Sequence, residues 1–201
     1  MKKPRYPLRR SPRLRPSFLV LAGLLLAALL LPRLFPSGAA RPDNTPAVLA
    51  EYPAGPLPPD LIFDKLLLEK SLRRLTAFHG DKAVRIYTVA LGFAPVGHKQ
   101  FQGDGKTPEG RYAINDKNPR SAYYRNLGIS YPNNADSAFA RKNGKSPGGD
   151  IKIHGLAPAY AAIGASHRLT DWTYGCIAVT NPEIEELFNR TPIGTPIEIV
   201  P

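Results

Sequence analysis

Eight prolines lie between positions 32 and 59 of this 201-residue chain, and they determine which part of it can fold. Proline fixes the backbone and lacks an amide donor, so regular helices and sheets are disfavoured there. Few large apolar residues separate these prolines, so the stretch cannot build a core of its own. We therefore predict an extended, semi-rigid linker over residues 41–60 and one folded domain over residues 61–201.

A basic segment and then an apolar segment precede the linker. Residues 1–17 carry seven lysines and arginines and no acidic residue, and the uncharged run 18–31 (FLVLAGLLLAALLL) follows them. This order is typical of a secretory signal, and the run is shorter than the roughly 20 residues of a membrane span. Small residues suited to cleavage follow at 37–40. Residues 1–40 are therefore predicted to be a secretory signal or an uncleaved membrane anchor. The rest of the chain would be exported to the periplasm or cell envelope.

The formal net charge of +11 resembles that of a nucleic-acid-binding protein. Residues 1–39, however, hold eight of the 27 lysines and arginines and none of the 16 acidic residues. The remaining 19 basic and 16 acidic residues leave the rest of the chain with a net charge of only +3. The sequence therefore predicts no nucleic-acid partner, and membrane contact only through the N-terminal segment.

Short β-like runs separated by turns dominate the rest of the sequence. Residues 65–69, 72–78 and 82–91 are predicted strands, the last two joined by a turn at Gly80. Glycines and a proline make 103–110 a loop, and further strands are predicted at 111–114, 150–154 and 195–200. Helices are predicted over 133–142 and from Asn181 as N-cap, with inward-facing Ile184, Leu187 and Phe188. The predicted fold is mainly β with short helices, in a mixed sheet or sandwich.

Cys176 is the only cysteine of the chain. Exported proteins usually pair their cysteines, so a single one is an intermolecular bridge, an inert buried thiol or a reactive thiol. It follows Gly175, and a glycine there permits a sharp turn that brings amide N–H groups near an attacked carbonyl. A thiol nucleophile needs a base, and His154, which ends the alternating run 150–154 and precedes Gly155, is the candidate. The residues alone also allow a buried thiol and a solvated histidine. Two other histidines, His79 and His98, are predicted to be solvated.

The pattern as a whole resembles the L,D-transpeptidase catalytic domain, or YkuD, family. The motif of that family is a histidine, a gap, and then Ser/Thr-His-Gly-Cys. This chain has His154-Gly155 and then Thr-Tyr-Gly-Cys at 173–176, with 18 residues between His154 and Thr173. The similarity extends to 103–112 (GDGKTPEGRY), 129–133, 151–155 and the closing helix and strand, and so covers about 140 residues.

The resemblance implies an L,D-transpeptidase (YkuD)-like mixed β-sandwich and a cysteine-dependent reaction on peptidoglycan stem tetrapeptides. Cys176 would attack the carbonyl of the L-configured diamino acid, expel D-alanine and form a thioester. His154 would take the thiol proton, and the backbone carbonyl of Gly155 would orient its ring. Backbone N–H groups of Tyr174 and Gly175 would form the oxyanion hole. An amine of another stem would then receive the acyl group in a 3-3 cross-link or related L,D link, and no cofactor is implied.

Four further residues are candidate substrate contacts: Arg168, Asp171, Thr173 and Lys106. Arg168 and Asp171 flank the motif and would meet the charged stem peptide or form a surface pair, and Lys106 would meet a carboxylate. Trp172 is predicted to be a packing anchor. The loop 103–110 lacks the ending of a phosphate-binding loop, and the spacing of His154, His167 and Cys176 matches no usual zinc site. The sequence therefore predicts no metal.

Two departures from the family pattern leave the acceptor open. Tyr174 stands where the family has a histidine, and the longer gap makes 157–169 a longer loop or short helix beside the cleft. An L,D-carboxypeptidase or another L,D-bond hydrolase, which resolves the thioester with water, is therefore the alternative. A non-catalytic cell-wall-binding module, in which Cys176 is merely buried, is a third hypothesis. Signal cleavage and oligomeric state also stay open.

Overall fold

A computed structural model describes residues 55–201 of the chain. The predicted signal or anchor over residues 1–40 and most of the predicted linker lie outside the described residues. The strands of the described part are β1 (Lys65–Glu69), β2 (Arg74–His79), β3 (Lys82–Thr88), β4 (Gly110–Ser121), β5 (Tyr124–Ile129), β6 (Lys152–His154), β7 (Ile177–Ala178) and β8 (Pro196–Val200). Its helices are α1 (Asn134–Lys142), α2 (Asn181–Arg190) and a 3-10 helical segment, Pro158–Leu169.

The strands of residues 55–201 form one mixed sheet in the order β3-β2-β1-β8-β4-β5-β6-β7. The β1–β8 and β6–β7 pairs are parallel, and the other pairs are antiparallel. The chain just after β3 meets β7, because Ala90 and Ala178 exchange backbone hydrogen bonds of 3.0 and 2.8 Å. The two ends of the sheet therefore approach each other, and the sheet curls around the core. The predicted mainly β fold with short helices is confirmed.

Alternating apolar residues produce the core inside the curl. Leu66 and Leu68 of β1 and Ile197 and Ile199 of β8 are buried on the same side of paired strands, as the period of two requires. Burial of each such side chain stabilises the fold by about 1.5–3 kcal/mol. The closing helix α2 covers this core with Ile184 and Leu187, while Phe188 is partly buried, as its apolar spacing predicts.

The hairpin formed by β4 and β5 departs most from the sequence prediction. The apolar pattern indicated only a short strand at 111–114, but β4 continues to Ser121 and β5 follows at Tyr124. The second half of β4 has the sequence NDKNPRS and is largely exposed. It has no alternation of apolar residues, so the sequence did not indicate a strand there. Backbone pairing with β5, rather than burial, holds this half in the sheet. The hairpin is important because it forms one wall of the site described below.

The start of α2 is shifted by one residue from its prediction. Thr180, not Asn181, is the N-cap. Glu183 makes the cap because its Oε2 accepts hydrogen bonds from the Thr180 N–H at 2.8 Å and from the Thr180 hydroxyl at 2.7 Å. Asn181 does not cap the helix, and its Oδ1 instead accepts a hydrogen bond from the Leu156 N–H at 2.7 Å.

The end of the predicted linker contacts the domain. The Arg190 guanidinium donates to the backbone carbonyls of Pro58 at 2.7 Å and Leu61 at 2.8 Å. Leu57 packs against the core with part of its side chain buried. The residues just before 61 therefore lie on the domain surface. Among the helices of residues 55–201, none has the length and apolar character that a membrane crossing requires.

Candidate active site

The parallel pair β6–β7 places His154 and Cys176 on the same side of the sheet. Ile153 pairs with Ile177, and His154 pairs with Ala178. Continuing this register by one residue sets Cys176 beside Lys152, so both side chains point in the same direction as His154. Ile153 and Ile177 point the opposite way and are fully buried, which fixes both strands in the core. His154 and Cys176 accordingly line one cavity of about 380 Å³.

The His154 ring is held in one orientation and one tautomer. Its Nδ1 lies 2.7 Å from the carbonyl oxygen of Gly155. Because a carbonyl only accepts, Nδ1 carries the proton and Nε2 keeps a lone pair. Burial lowers the pKa of His154 below its usual 6.5, and the bond to the Gly155 carbonyl opposes this shift. At neutral pH the imidazole is therefore neutral and able to accept a proton.

Neighbouring groups fit closely around this histidine. The Tyr123 ring centroid lies 4.7 Å from that of His154, and the Trp172 centroid lies 5.8 Å from it. A Cβ atom at Gly155 would lie 2.5 Å from Asn181 Oδ1 and 2.9 Å from a methyl of Ile184. Only glycine fits at position 155, because α2 packs directly on its backbone.

The Cys176 thiol is partly exposed in the same cavity. Its Sγ lies 3.6 Å from the carbonyl oxygen of Asp150, to which the S–H donates. Burial raises the pKa of the Cys176 thiol above its usual 9.0, whereas the backbone N–H and ammonium of Lys152 act in the other direction. A neutral thiol and a neutral imidazole therefore line the same cavity at rest. Attack by the sulfur requires that a base remove its proton.

A tight turn over 173–176 positions the thiol. Gly175 has a φ of 128°, and a Cβ there would lie 2.6 Å from the Lys106 carbonyl oxygen. Thr173 braces the turn, since its Oγ1 accepts the Gly175 N–H at 3.1 Å and donates to the Cys176 carbonyl at 2.8 Å. The hydroxyl of Thr173 is thus engaged inside the turn. The Gly175 N–H, predicted to face an oxyanion, points to Thr173 in this conformation.

Three of the predicted substrate contacts lie outside the Cys176 cavity. The Asp171 carboxylate accepts from the Arg73 guanidinium at 2.6 Å and from the Leu91 N–H at 2.9 Å. Arg168 forms an ion pair with Glu183, next to the cap of α2. Lys106 uses its backbone N–H for Asp104 Oδ1 at 3.1 Å, and its ammonium lies beside Gly97. The side chains of Arg168, Asp171 and Lys106 do not line the cavity of Cys176, although the Lys106 backbone packs against Gly175.

Comparison with known families decides the class of protein. The sequence model of the YkuD family, described as the L,D-transpeptidase catalytic domain, matches residues 64–199. The chain belongs to this family. YafK of Escherichia coli (strain K12) is 34% identical over 104 residues, which are 51% of this chain and 35% of YafK. YqjB of Bacillus subtilis (strain 168) is 27% identical over 151 residues, 74% of this chain and 77% of YqjB. The names of both proteins assign them to the L,D-transpeptidases.

A solved structure shares the fold of this chain. The helical cell shape determining protein Pgp2 of Campylobacter jejuni aligns with a TM-score of 0.51 and 26% sequence identity. The alignment covers 68% of this chain and 48% of Pgp2. The YkuD domain described above thus shares fold and sequence with a protein connected to cell shape, while about half of Pgp2 lies outside the alignment.

Several residues that line the candidate active-site cavity of this YkuD domain were not expected. Ser121, Tyr123 and Asn126 come from the β4–β5 hairpin, which the apolar pattern did not reveal. Asp150 has a φ of 62°, and this left-handed backbone is part of the bend that leaves its carbonyl beside the thiol. The position of Lys152 in the cavity could have been predicted from the sequence, because in the alternating run 150–154 it lies on the same face as His154.

Tyr174 replaces the family's histidine and lies at the rim of the active-site cavity. Its side chain is 78% exposed, and its ring contacts that of Phe93 edge-to-face at 5.4 Å. It also lines a second cavity of about 530 Å³, whose walls include Lys99 and Gln102. The side chain of Tyr174 therefore separates two recesses, while its backbone belongs to the turn that carries Cys176.

The other histidines have different surroundings. His79 is exposed, in agreement with its prediction. His98 is less solvated than predicted, because its Nδ1 accepts the Glu109 N–H at 2.9 Å and its Nε2 lies 3.1 Å from Asp136. Within residues 55–201, no group of three or more His, Cys, Asp or Glu side chains is arranged to hold a metal ion.

Proposed function

We propose that this YkuD domain is a cysteine-dependent L,D-transpeptidase acting on peptidoglycan stem tetrapeptides. The observation that carries the proposal is the pairing of His154 and Cys176 in one cavity, with Nδ1 of the histidine held at 2.7 Å by the Gly155 carbonyl. This arrangement supplies a nucleophile, a base and a group that orients the base. Family membership supports the choice of an L,D peptide bond as the substrate.

In the acylation step, Cys176 attacks the carbonyl at the L-centre of the diamino acid. His154 Nε2 removes the thiol proton during the attack, because neither group is charged at rest. The C–S bond forms, the carbonyl becomes an oxyanion, and collapse of the tetrahedral intermediate breaks the C–N bond. His154 gives its proton to the departing nitrogen, so D-alanine leaves with a neutral amine and its carboxylate, and the tripeptide stays on sulfur as a thioester.

The backbone of the 173–176 turn is the proposed source of oxyanion stabilisation. Donors that are already in position when charge develops stabilise a transition state without further reorganisation. The Tyr174 N–H is one proposed donor. The Gly175 N–H contributes only if it exchanges its bond to Thr173 Oγ1 for one to the oxyanion. Binding of substrate is therefore proposed to include a small rearrangement of this turn.

In the second step, an amine of another stem peptide attacks the thioester and His154 takes its proton. The C–S bond breaks, the Cys176 thiol is restored, and the product is a 3-3 cross-link or a related L,D link. Water as the attacking group would give the tripeptide, the reaction of an L,D-carboxypeptidase. Peptidoglycan lies outside the cytoplasmic membrane, so the proposal includes export, with residues 1–40 as signal or anchor.

Product analysis tests the proposed function. The full chain is incubated with purified disaccharide tetrapeptide, and the products are identified by mass spectrometry. A cross-linked dimer that is lost in Cys176→Ala supports the transpeptidase, and tripeptide alone supports the hydrolase. If the wild type and Cys176→Ala both leave the tetrapeptide intact and both bind wall fragments, the protein is a binding module and the proposal is wrong.

A further inference from the structure

Lys70, the residue that follows β1, carries a buried ammonium that the proposed reaction does not use. The residue is 2% exposed and does not line the cavity of Cys176. Its Nζ donates hydrogen bonds to the carbonyl oxygens of Gly97 at 2.7 Å and Thr107 at 3.0 Å, and to Glu109 Oε1 at 2.8 Å. An ammonium has three N–H donors, so each of them has an acceptor. Lys70 therefore ties two parts of the long loop between β3 and β4 to the end of β1.

The geometry of these bonds explains a lysine at position 70 better than stability does. Burial lowers the pKa of Lys70 below its usual 10.5, and the hydrogen bond and charge of Glu109 oppose this shift. Because ions lose their hydration on burial, a buried ion pair is often no more stabilising than apolar side chains of the same volume. What the ammonium does provide is a fixed arrangement of its three acceptors.

The loop held by this ammonium supports the turn that carries the nucleophile. Thr107 is fully buried, and its Oγ1 accepts the Gly92 N–H at 3.1 Å. A Cβ atom at Gly92 would lie 2.2 Å from the Gly105 carbonyl oxygen and 3.1 Å from the Gly175 Cα. A Cβ atom at Gly175 would in turn lie 2.6 Å from the Lys106 carbonyl oxygen. These backbones are in direct contact, so a shift of the loop over 105–107 is transmitted to Gly175.

Backbone pairing carries the same support to the start of the turn. The Leu91 carbonyl accepts the Thr173 N–H at 3.1 Å, and the Phe93 N–H donates to the Thr173 carbonyl at 2.9 Å. The Thr173 hydroxyl then donates to the carbonyl of Cys176 at 2.8 Å. The series of contacts that begins at the buried ammonium thus ends at the residue that carries the thiol.

We propose that Lys70 is a positioning residue for acylation, which keeps the 173–176 turn aligned through the loop over 105–107. Amide donors stabilise an oxyanion only from a narrow range of positions. Without the ammonium, two buried backbone carbonyls lose their donor, and the loop moves to find other partners. Gly175 moves with the loop, so oxyanion stabilisation is lost while the thiol and His154 remain. This inference rests on the proposed function for the identity of the reaction.

Two reactions of Cys176 in the full chain are compared to test this role. Acylation by a carbapenem develops an oxyanion, whereas alkylation by iodoacetamide requires only the sulfur. Lys70→Met should slow acylation by about tenfold or more and change alkylation by less than about twofold. Rate constants rather than amplitudes are compared, so a loss of folded protein does not imitate the effect. Lys82→Met, at an exposed lysine, is the matched control and should leave both rate constants unchanged.

Steady-state kinetics with tetrapeptide give a second readout. Lys70 does not line the cavity of Cys176, so Lys70→Met should lower kcat and leave KM near its wild-type value. A raised KM with unchanged kcat would place the effect on substrate binding and would overturn the positioning role.

A second pair of variants keeps the test decisive if Lys70→Met does not fold. Thr107→Val removes the hydroxyl that accepts the Gly92 N–H, and Thr107→Ser keeps it. Thr107→Val should slow acylation more than Thr107→Ser does, without a matching change in alkylation. Equal acylation rates in these two variants, or an equal fall of acylation and alkylation in Lys70→Met, would overturn the positioning role. Either result alongside an acylated wild type leaves the proposed function intact, whereas a wild type that the carbapenem does not acylate would refute both.

Discussion

Replacing Thr173 with valine separates a structural role of its hydroxyl from a substrate-binding role. The side chain is 3% exposed, and its Oγ1 makes two hydrogen bonds within the turn, to the Gly175 N–H and the Cys176 carbonyl. Valine keeps the shape and removes both. Loss of the bond to the Cys176 carbonyl, about 0.5–1.5 kcal/mol, and a buried Gly175 amide left unpaired, about 1–3 kcal/mol, together predict a loss of about 1.5–4.5 kcal/mol in the free energy of unfolding.

Urea unfolding of the full chain, followed by the fluorescence of the single tryptophan, Trp172, measures this loss. Thr173→Ser is the matched control, because it keeps the hydroxyl and removes one methyl group, at a cost of about 1 kcal/mol. Thr173→Val should also slow acylation, since the turn that carries Cys176 is loosened. If Thr173→Val is as stable as Thr173→Ser while the KM for tetrapeptide rises, the hydroxyl binds substrate and the turn assignment is wrong.

Three further predictions concern the pH dependence of acylation, the turn that carries Cys176, and the partly buried ion pair between Arg73 and Asp171. The acylation rate should rise with pH with a midpoint below 6.5, because His154 must be neutral and burial lowers its pKa. Above that midpoint the acylation rate should stay level to about pH 9, because Cys176 reacts from its neutral thiol. A midpoint above pH 7 in stopped-flow measurements of acylation would contradict the role of His154. Gly175→Ala should destabilise the turn and abolish acylation, because the new Cβ would lie 2.6 Å from the Lys106 carbonyl oxygen. Acylation of this variant at the wild-type rate would refute the close fit. Asp171→Asn should lower the free energy of unfolding, measured with urea, by about 1–3 kcal/mol. Glu198→Gln, which removes a charge from an exposed ion pair, should lower it by less than about 0.5 kcal/mol. Equal losses in the two variants would show that Asp171 does not anchor its loop.

The sequence predicted those parts of the fold in which local pattern and burial agree. β1 and the β2–β3 hairpin follow from apolar runs before and around Gly80, and α2 follows from Pro182 near its start and the spacing of Ile184 and Leu187, with its N-cap one residue earlier than predicted. Cys176 and His154 were singled out as a candidate nucleophile and base because they occupy a recognisable local motif, and the structure places both of them in one cavity. The structure adds the reason why they meet, which is the parallel register of β6 and β7.

The parts that sequence did not predict depend on contacts between distant segments. The β4–β5 hairpin is held by backbone pairing of polar residues, so its cavity-lining Tyr123 had no pattern to reveal it. For Asp171 and Arg168 the sequence left open both a substrate contact and a surface pair, because a charge near a motif is equally consistent with either role. Their partners in the fold, Arg73 and Glu183, are identifiable only once the chain has closed on itself.

Detection of a thioester on Cys176 tests the central claim most directly. The full chain is mixed with disaccharide tetrapeptide or with a carbapenem, quenched in acid, and examined by intact mass and peptide mapping. The wild type should carry the acyl group on the peptide that contains Cys176, His154→Gln should acquire it far more slowly, and Cys176→Ala should not acquire it. Release of D-alanine by Cys176→Ala at the wild-type rate, or an adduct on another residue, would contradict the account.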